Sequence, residues 1–344
     1  MLATPTCSVC DQLDWQFLRS VQIHRDAKLP LDLPNRDYVM ERMRVVFEVW
    51  FPDEDSVSWQ EQKCRHCGFV TFTPRPSADD LTNKYLFLSR IQTAALGGQT
   101  DSQQARLADA RRSRRIYDLM RRFAGAPLKR VLDHGGGTGK LMAKFVENGC
   151  ECDLIDYSTT CVRGVNRVAQ TLEETPAKPA YDAIVCSHVL EHVADPSELV
   201  GQLLARLQPQ GLLYAEVPME LTPDWTIRWD AVTHVNFFNA LNFQILFQQA
   251  GAHILFAREE VGTYNGGRLD VAYILAQSIG KHAANNIDAG RFLEAAQRTD
   301  DLLARNSLRE LVRRWRLRQF PTWQGLVRRM NARLQRRKRE SCGK

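Results

Sequence analysis

Short apolar runs alternate with amphipathic stretches through the middle of the chain, and this pattern predicts a doubly wound α/β fold. The apolar runs have the length of buried strands and lie at residues 129–133, 152–156, 181–187 and 212–217. The best-marked helix between them has Asp195 as its N-cap and Pro196 in its first turn, and we expect it to end near Gly211. Because strands and helices alternate, the strands are expected to form a parallel sheet.

Similar patterns flank this region on both sides. Residues 77–124 are expected to be largely helical, and Asn239 should cap a helix over 240–250. Residues 252–260 and 268–277 have the pattern of two strands joined by a tight turn. We therefore expect an antiparallel pair at one edge of the sheet.

Charge is distributed unevenly along the 344 residues. The net charge is +6, but residues 301–344 carry 14 basic and 3 acidic side chains, whereas the remainder carries 32 and 37. The body is therefore slightly acidic and the tail strongly basic, which favours contact of the tail with an anionic partner. The chain has no apolar run of about 18 residues and no leader-like N-terminus, so we expect a cytoplasmic protein without a membrane span.

A glycine-rich loop follows the first predicted strand. Asp133 and His134 precede Gly-Gly-Gly-Thr-Gly at 135–139, and a helix is expected over 140–148. A Walker phosphate loop is disfavoured because its first glycine and its final Ser or Thr are missing, and the glycine spacing is one residue tighter than in dinucleotide-binding loops. After the next strand, Asp156 is placed to accept hydrogen bonds from the ribose hydroxyls of an adenosine.

These motifs, together with the strand 182–187 and the step 207–213, resemble the class I S-adenosylmethionine-dependent methyltransferases over roughly residues 125–280. The resemblance implies a Rossmann-like seven-stranded sheet with S-adenosyl-L-methionine as cofactor. It assigns Asp133 to the cofactor's amino group, Gly135, Gly137 and Gly139 to its methionine part, Asp156 to the ribose, Thr171 and Leu172 to the adenine, and Gly136, Tyr157, Ser187 and His188 to the same pocket. The alternative is a glycine turn that only packs a helix on the sheet.

The sequence His188-x-x-Glu191-His192 follows the strand that ends at Ser187. It matches an inverted zinc-protease pattern, which is disfavoured because the residues follow a buried strand directly and the next helix begins at Asp195. The methyltransferase resemblance instead implies that this segment closes the cofactor pocket, with His188 facing the cofactor or the substrate. Glu191 and His192 are then either hydrogen-bonding groups of the site or merely structural.

Two Cys-x-x-Cys pairs, Cys7 with Cys10 and Cys64 with Cys67, suit one structural zinc ion bound by four thiolates. The spacer of 53 residues between the pairs is long, and unpaired buried thiols are the alternative. The nine cysteines are an odd number in a long chain, which makes a disulfide framework improbable.

The order of the cysteine pairs, a helix with Tyr85 and the methyltransferase core resembles a zinc-ribbon-bearing branch that includes the deoxysugar C-methyltransferases. This resemblance implies a sugar, nucleotide sugar or glycan intermediate as substrate. It also implies that His234 is the general base, the alternative being a loop histidine that hydrogen-bonds the backbone. Tyr85 either covers the site from the N-terminal region or only packs its helix. Because Ala231 and Thr233 replace the tyrosine and glutamate of that branch, O-methylation is at least as well supported as C-methylation.

Two other functions remain open, an RNA-directed methyltransferase and a non-catalytic cofactor-binding scaffold. A nucleic-acid partner is disfavoured because the region of the cysteine pairs is not strongly basic. The tail carries basic amphipathic stretches at 306–319 and 322–339, which suit docking on the body or on an anionic membrane at its inner face. We expect four units: a zinc-ribbon-like subdomain at 1–76, a helical cover at 77–124, a methyltransferase domain at 125–280 and a basic helical extension at 281–344.

Overall fold

The structure is a computed structural model, and it describes residues 6–26, 40, 43–95, 103–221, 234–264, 267–278 and 287–319. Several predicted features lie outside the described residues. They are Ala231, Thr233, the second basic stretch at 322–339 and the side chains of the first stretch at 306–319.

The strands that the structure describes are β1 (Trp15–His24), β2 (Ser56–Cys64), β3 (Val70–Thr73), β4 (Arg130–His134), β5 (Glu151–Ile155), β6 (Val165–Ala169), β7 (Tyr181–Ser187), β8 (Leu207–Pro218), β9 (Asn236–Phe237), β10 (Ala252–Tyr264) and β11 (Gly267–Ser278). The described helices are α1 (Val45–Trp50, a π-helix), α2 (Ala78–Ala95), α3 (Gln103–Phe123), α4 (Ala143–Glu147, after a 3-10 turn at Lys140–Met142), α5 (Pro196–Leu204), α6 (Ala240–Gln249) and α7 (Ala289–Gln319).

Seven strands form the central sheet in the order β10-β11-β8-β7-β4-β5-β6. The pairs β8–β7, β7–β4, β4–β5 and β5–β6 are parallel, whereas β11 runs antiparallel to both of its neighbours. The predicted doubly wound α/β sheet with an antiparallel pair at one edge is therefore confirmed. Strand β6 was not predicted, because it is short and places Asn166 and Arg167 between its buried ends.

Alternating residues of the central strands supply two hydrophobic cores, one on each face of the sheet. Leu132 and Ile184 belong to the core that α5 and α6 cover, and Val131 and Val185 belong to the core that α3 and α4 cover. The sheet is thus buried on both sides, as its nearly continuous apolar strands require. Polar groups are consequently concentrated at the ends of the strands.

The helix α5 begins as predicted but ends sooner than predicted. The Asp195 side chain accepts hydrogen bonds from the backbone N–H groups of Ser197 and Glu198, as an N-cap does. The expected end near Gly211 is wrong, because α5 ends at Leu204 and β8 starts at Leu207. A register shift between β7 and β8, from Tyr181 opposite Leu207 to Ala183 opposite Leu212, accommodates residues 208–211, so this polar stretch belongs to a strand.

A second, four-stranded sheet has the order β1-β2-β3-β9 and is antiparallel throughout. Its last strand, β9, follows His234 in sequence, so the N-terminal subdomain is completed by a segment of the methyltransferase region. The guanidinium of Arg75 strengthens this junction by donating to the carbonyl oxygens of Ala194 and Val235. The two pieces of chain are therefore fixed to each other beside the predicted site.

The first half of α7 packs against the body of the molecule. Thr299 donates a hydrogen bond to the carbonyl oxygen of Gly68 at 2.7 Å, and Asn239 donates to Thr299 at 2.7 Å. Lys63 forms an ion pair with Asp300 at 2.5 Å. None of the helices in the described ranges has the length and apolarity needed to cross a membrane.

Candidate functional site

The glycine loop makes a tight turn at the carboxyl end of β4. Gly135, Gly137 and Gly139 have φ angles of 69°, 62° and 77°, a region that favours glycine. A Cβ atom on Gly136 would lie 2.0 Å from Oδ2 of Asp133, so a side chain there would displace the carboxylate. A Cβ on Gly137, by contrast, would meet no atom within 4 Å. The loop therefore leaves open space on one side, where a ligand can approach the backbone.

Asp133 is the most strongly perturbed acid of this loop. It is fully buried, and neither carboxylate oxygen has a hydrogen-bond partner. Burial, and secondarily the nearby charge of Asp156, raises the pKa of Asp133 to about 7. A buried carboxylate without a partner is costly, and a cationic ligand group relieves that cost. The amino group predicted for this position fits that requirement.

Asp156 lies beside the loop after β5. One carboxylate oxygen accepts a hydrogen bond from the N–H of Gly137 at 2.8 Å and the other accepts from Ser158 at 2.7 Å. A carboxylate has about four acceptor positions, so it retains capacity for ribose hydroxyls. Leu172 is buried in the core that α5 and α6 cover, and Thr171 precedes it in the turn after β6. The adenine assignment of these two residues stays a prediction.

Tyr85 of α2 reaches the same edge of the sheet as the loop. Its ring stacks on Tyr157 with ring centroids 5.4 Å apart, and it meets His192 edge-on at 6.4 Å. The structure thus places both predicted aromatic residues together and next to the histidines. Their catalytic and cofactor roles remain predictions.

His188 follows β7 directly with a φ angle of 57°, which is unusual for a residue other than glycine. Its Nδ1 lies 3.2 Å from Oε1 of Glu191, and its Nε2 lies 3.3 Å from Oε1 of Glu216. Burial opposes a charge on this ring, but the two carboxylates raise the pKa of His188 above its ordinary value. His188 is therefore a better hydrogen-bond donor than proton acceptor.

Glu216, near the end of β8, is the centre of a buried ion network that the sequence analysis missed. Arg112 of α3 donates to Oε1 at 2.7 Å, Arg115 donates to Oε2, and the Tyr214 hydroxyl donates to Oε2 at 2.7 Å. Burial opposes ionisation, but His188 and the two arginines hold the pKa of Glu216 below its usual range. The available signal was a glutamate within the apolar run 212–217, with two arginines three positions apart on a helix.

Glu191, His192 and His234 converge at this edge of the sheet. One ligand atom of each side chain lies within 4.8 Å of the others, and the two imidazole rings are 4.6 Å apart. Oε2 of Glu220 lies 2.7 Å from Nδ1 of His234. The sequence analysis did not predict a role for Glu220, because nothing in its neighbouring residues marks it.

The four predicted zinc ligands also converge. The Sγ atoms of Cys7 and Cys67 are 3.6 Å apart, and so are those of Cys10 and Cys64. Sulfur atoms about 2.3 Å from one tetrahedral zinc ion lie about 3.7 Å from each other, so the four thiols have a suitable spacing. Burial raises the pKa of Cys7, which disfavours a thiolate there unless a cation is bound.

Comparisons with known proteins agree with this architecture. Residues 108–255 match the family described as "Methyltransferase domain". A ubiquinone biosynthesis O-methyltransferase of Escherichia fergusonii is 31% identical over 110 residues, which are 28% of this chain and 46% of the relative. One of Rickettsia bellii is 29% identical over 93 residues, covering 24% and 39%. The matches thus span less than half of these curated relatives.

Two solved structures illustrate the similarity in chain course. One is the 1,6-didemethyltoxoflavin-N1-methyltransferase of Burkholderia thailandensis, with a TM-score of 0.45 and 16% identity over 61% of this chain and 96% of that chain. Another is the N-methyltransferase NodS of Bradyrhizobium japonicum, with a TM-score of 0.42 and 13% identity over 57% and 98%. From the matched family, the sheet and the glycine loop together, we conclude that the chain contains a class I S-adenosylmethionine-dependent methyltransferase domain.

Proposed function

We propose that the protein transfers the methyl group of S-adenosyl-L-methionine to a hydroxyl oxygen of a sugar, a nucleotide sugar or a glycan intermediate. The observation that carries this proposal is the pairing of His234 with Glu220 at the same edge of the sheet as the glycine loop. The distant relatives named ubiquinone biosynthesis O-methyltransferases support oxygen as the acceptor atom. We do not propose their substrate for this protein.

The paired histidine has the geometry of a general base. A carboxylate 2.7 Å away accepts the Nδ1–H of His234, which leaves a lone pair on Nε2. Nε2 takes the hydroxyl proton while the substrate oxygen forms its bond to the methyl carbon. The bound cofactor supplies an electrophilic methyl group on a sulfonium, whose carbon–sulfur bond breaks without need of an acid, so the protein contributes mainly positioning and one proton transfer.

The cofactor is proposed to bind over the glycine loop. Asp133 would hold its amino group, the open side of Gly137 would face its methionine part, and Asp156 would accept its ribose hydroxyls. A zinc ion is proposed at Cys7, Cys10, Cys64 and Cys67, where it stabilises the N-terminal sheet and through β9 the position of His234.

The proposal is tested by a screen of nucleotide sugars and glycan intermediates for methyl transfer, followed by His234→Gln. We expect turnover to fall by at least about a hundredfold, because general-base catalysis contributes on that order. Binding of S-adenosylhomocysteine should be unchanged. His253→Ala, at an exposed position of β10, is the matched control and should be as active as the parent protein.

Unchanged turnover of His234→Gln would show that His234 is not the general base. Methylation of RNA, or tight cofactor binding without transfer to any acceptor, would instead support the two other functions considered from the sequence. A product methylated on carbon would support S-adenosyl-L-methionine as the methyl donor and contradict oxygen as the acceptor atom.

A further inference from the structure

We propose that Glu191, His192 and His234 form a site for one divalent transition-metal cation, which binds the acceptor through its hydroxyl oxygens. The inference rests on the proposed function only for the role of the cation, since the site itself is argued from the side chains. It is separate from the four-cysteine cluster, which has different donors and lies in the N-terminal subdomain.

The first argument is the donor set and its spacing. Two imidazoles and one carboxylate are a common set of three protein ligands for catalytic zinc and for non-haem iron. Oε1 of Glu191 lies 3.8 Å from Nε2 of His192, and one ligand atom of each of the three side chains lies within 4.8 Å of the others. Donor atoms about 2.1 Å from a shared cation are about 3 to 4 Å apart, so small rotations of the side chains complete the site.

The second argument is the environment of Glu191. Its side chain is 1% exposed, Oε1 lies 3.2 Å from Nδ1 of His188, and Oε2 makes no hydrogen bond. A buried carboxylate in this state is costly, and coordination of a cation is one way in which proteins offset that cost. The rings of His192 and His234 are 21% and 14% exposed, so the cluster also faces accessible space where an acceptor can enter.

The third argument is that the backbone holds the ligands in place. The carbonyl oxygen of Glu191 accepts hydrogen bonds from the N–H groups of Val235 at 2.8 Å and Asn236 at 3.1 Å. The amide of Asn236 donates to the carbonyl oxygens of Leu190 and Val193, both at 2.7 Å. The segment with Glu191 and His192 and the segment with His234 are therefore joined into one rigid unit, as a preorganised site requires.

The fourth argument is the contact between Glu220 and His234. Metal-bound histidines commonly donate their other ring N–H to a carboxylate, which fixes the tautomer and the ring orientation. Glu220 makes this contact at Nδ1, 2.7 Å away, so Nε2 has the lone pair that a cation needs. Nε2 of His234 therefore accepts the hydroxyl proton only while the site holds no cation; with a cation bound it is a ligand, and the proton goes to water.

Three protein ligands leave coordination positions for oxygen atoms of the acceptor. A cation there lowers the pKa of a bound hydroxyl, whose proton leaves to water, and the resulting oxygen attacks the methyl carbon as the carbon–sulfur bond breaks. An acceptor with two adjacent oxygens occupies two such positions and is bound more firmly than a single alcohol. The proposed site therefore favours vicinal diols, a class to which many sugars belong.

Mn²⁺ is the most suitable probe, because it is paramagnetic and does not displace zinc from thiolates. The full-length protein is loaded with one equivalent of zinc, which the four thiolates bind in preference, and is then titrated with Mn²⁺, the free ion being measured by electron paramagnetic resonance. We expect one Mn²⁺ per chain, with affinity reduced at least about tenfold in Glu191→Gln and in His192→Asn, since each change removes one of three ligands. The control His253→Ala should bind Mn²⁺ like the parent, and circular dichroism checks that each variant is folded.

Absence of stoichiometric binding, or equal Mn²⁺ affinity in both ligand variants and the parent, would overturn the site. Methyl transfer that requires His234 but is not stimulated by Mn²⁺ would overturn the role of the cation and leave the proposed function intact. Stoichiometric binding that is lost in the variants, without methyl transfer to any hydroxyl, would support the site and overturn the proposed function.

Discussion

The carboxylate of Asp133 makes cofactor binding a proton-linked event. Its pKa is raised from 3.8 to about 7 by burial and by the charge of Asp156, so the free protein takes up a proton there below about pH 7. A bound ammonium group favours the ionised form, and binding therefore releases that proton. We expect the affinity for S-adenosylhomocysteine to fall by up to about tenfold per pH unit below pH 7.

Calorimetry in buffers of different ionisation enthalpy measures the proton release directly. In Asp133→Asn the affinity should be lower at pH 8 and should lose its dependence on pH in this range. The same raised pKa makes the unliganded fold progressively less stable as the pH rises from about 4 to about 7, where the unfolded chain has already lost the proton that the folded chain keeps, and this loss stays complete above pH 7. An unchanged pH dependence in the variant would assign the linkage to another group.

Glycine is required at position 136 because a larger residue would collide with Asp133, and not because the backbone there has a positive φ angle. In Gly136→Ala the new Cβ would lie 2.0 Å from Oδ2 and 2.2 Å from Cγ of Asp133, so the carboxylate must move. We expect cofactor affinity to fall at least about tenfold and the free energy of unfolding to fall by about 1 to 3 kcal/mol. Calorimetry and urea denaturation measure the two effects.

The matched control is Gly201→Ala in α5, where a Cβ meets no atom within 4 Å. That variant should bind the cofactor normally and gain up to about 1 kcal/mol of stability, because alanine favours a helix. Equal behaviour of the two variants would show that the contact with Asp133 has no functional consequence.

At the scale of elements, the ion network around Glu216 joins α3 to the end of β8. The carboxylate is fully buried between two arginines, whose side chains are 15% and 26% exposed. In Glu216→Gln the guanidiniums of Arg112 and Arg115 lose their shared counter-charge. We expect the free energy of unfolding to fall by about 3 to 5 kcal/mol. Urea denaturation measures this change. The control is Glu147→Gln, which removes the exposed ion pair with Lys144 and should change the free energy of unfolding by less than about 1 kcal/mol.

A small effect of Glu216→Gln would mean that the arginines find other partners, such as Glu260, which already contacts Arg115. Hydrogen exchange in α3 would then be unaltered. Increased exchange confined to α3 and β8 would instead support the network as the contact that fixes this helix over the site.

At the scale of the whole molecule, the N-terminal subdomain fixes the position of His234. Strand β3 carries Val70 and Thr71 opposite β9, which begins two residues after the histidine. We therefore expect Cys64→Ser, or removal of the metal by a chelator, to reduce methyl transfer as well as stability. Structural zinc contributes on the order of 10 kcal/mol in small metal-dependent units, so unfolding of this subdomain is the expected consequence.

The control is Cys161→Ser, because Cys161 is exposed and lies outside the cluster. Elemental analysis should find one zinc fewer per chain in Cys64→Ser than in the parent and in this control. Full stability and activity of the metal-free protein would show that the thiols are only packed residues.

The basic tail is proposed to bind an anionic membrane surface. Thr299 and Asp300 of α7 contact the body, so the proposal concerns the basic stretches that follow them in the sequence. We expect the full-length protein to co-sediment with vesicles containing phosphatidylglycerol, and a chain ending at Gln319 to remain in solution. Equal behaviour of the two chains at low salt would contradict the proposal.

Features that depend only on neighbouring residues could be predicted from the sequence. Strand and helix periodicity predicted the α/β sheet, and capping residues such as Asp195 and Asn239 marked the helix starts, because these signals act within one turn of chain. The glycine loop and the two cysteine pairs were visible for the same reason. Periodicity failed where a strand is short, as in β6, or where polar residues continue a strand, as at the start of β8.

Contacts between side chains that are distant in sequence are known only from the folded chain. Glu191 and His192 lie beside His234 because β9 joins the N-terminal sheet, and Glu216 meets Arg112 because α3 crosses the end of β8. Such contacts join residues more than 40 positions apart, and no local pattern encodes them. The glycine loop and its acids therefore follow from sequence, whereas the acceptor side of the site follows from the packing of elements that lie far apart in the chain.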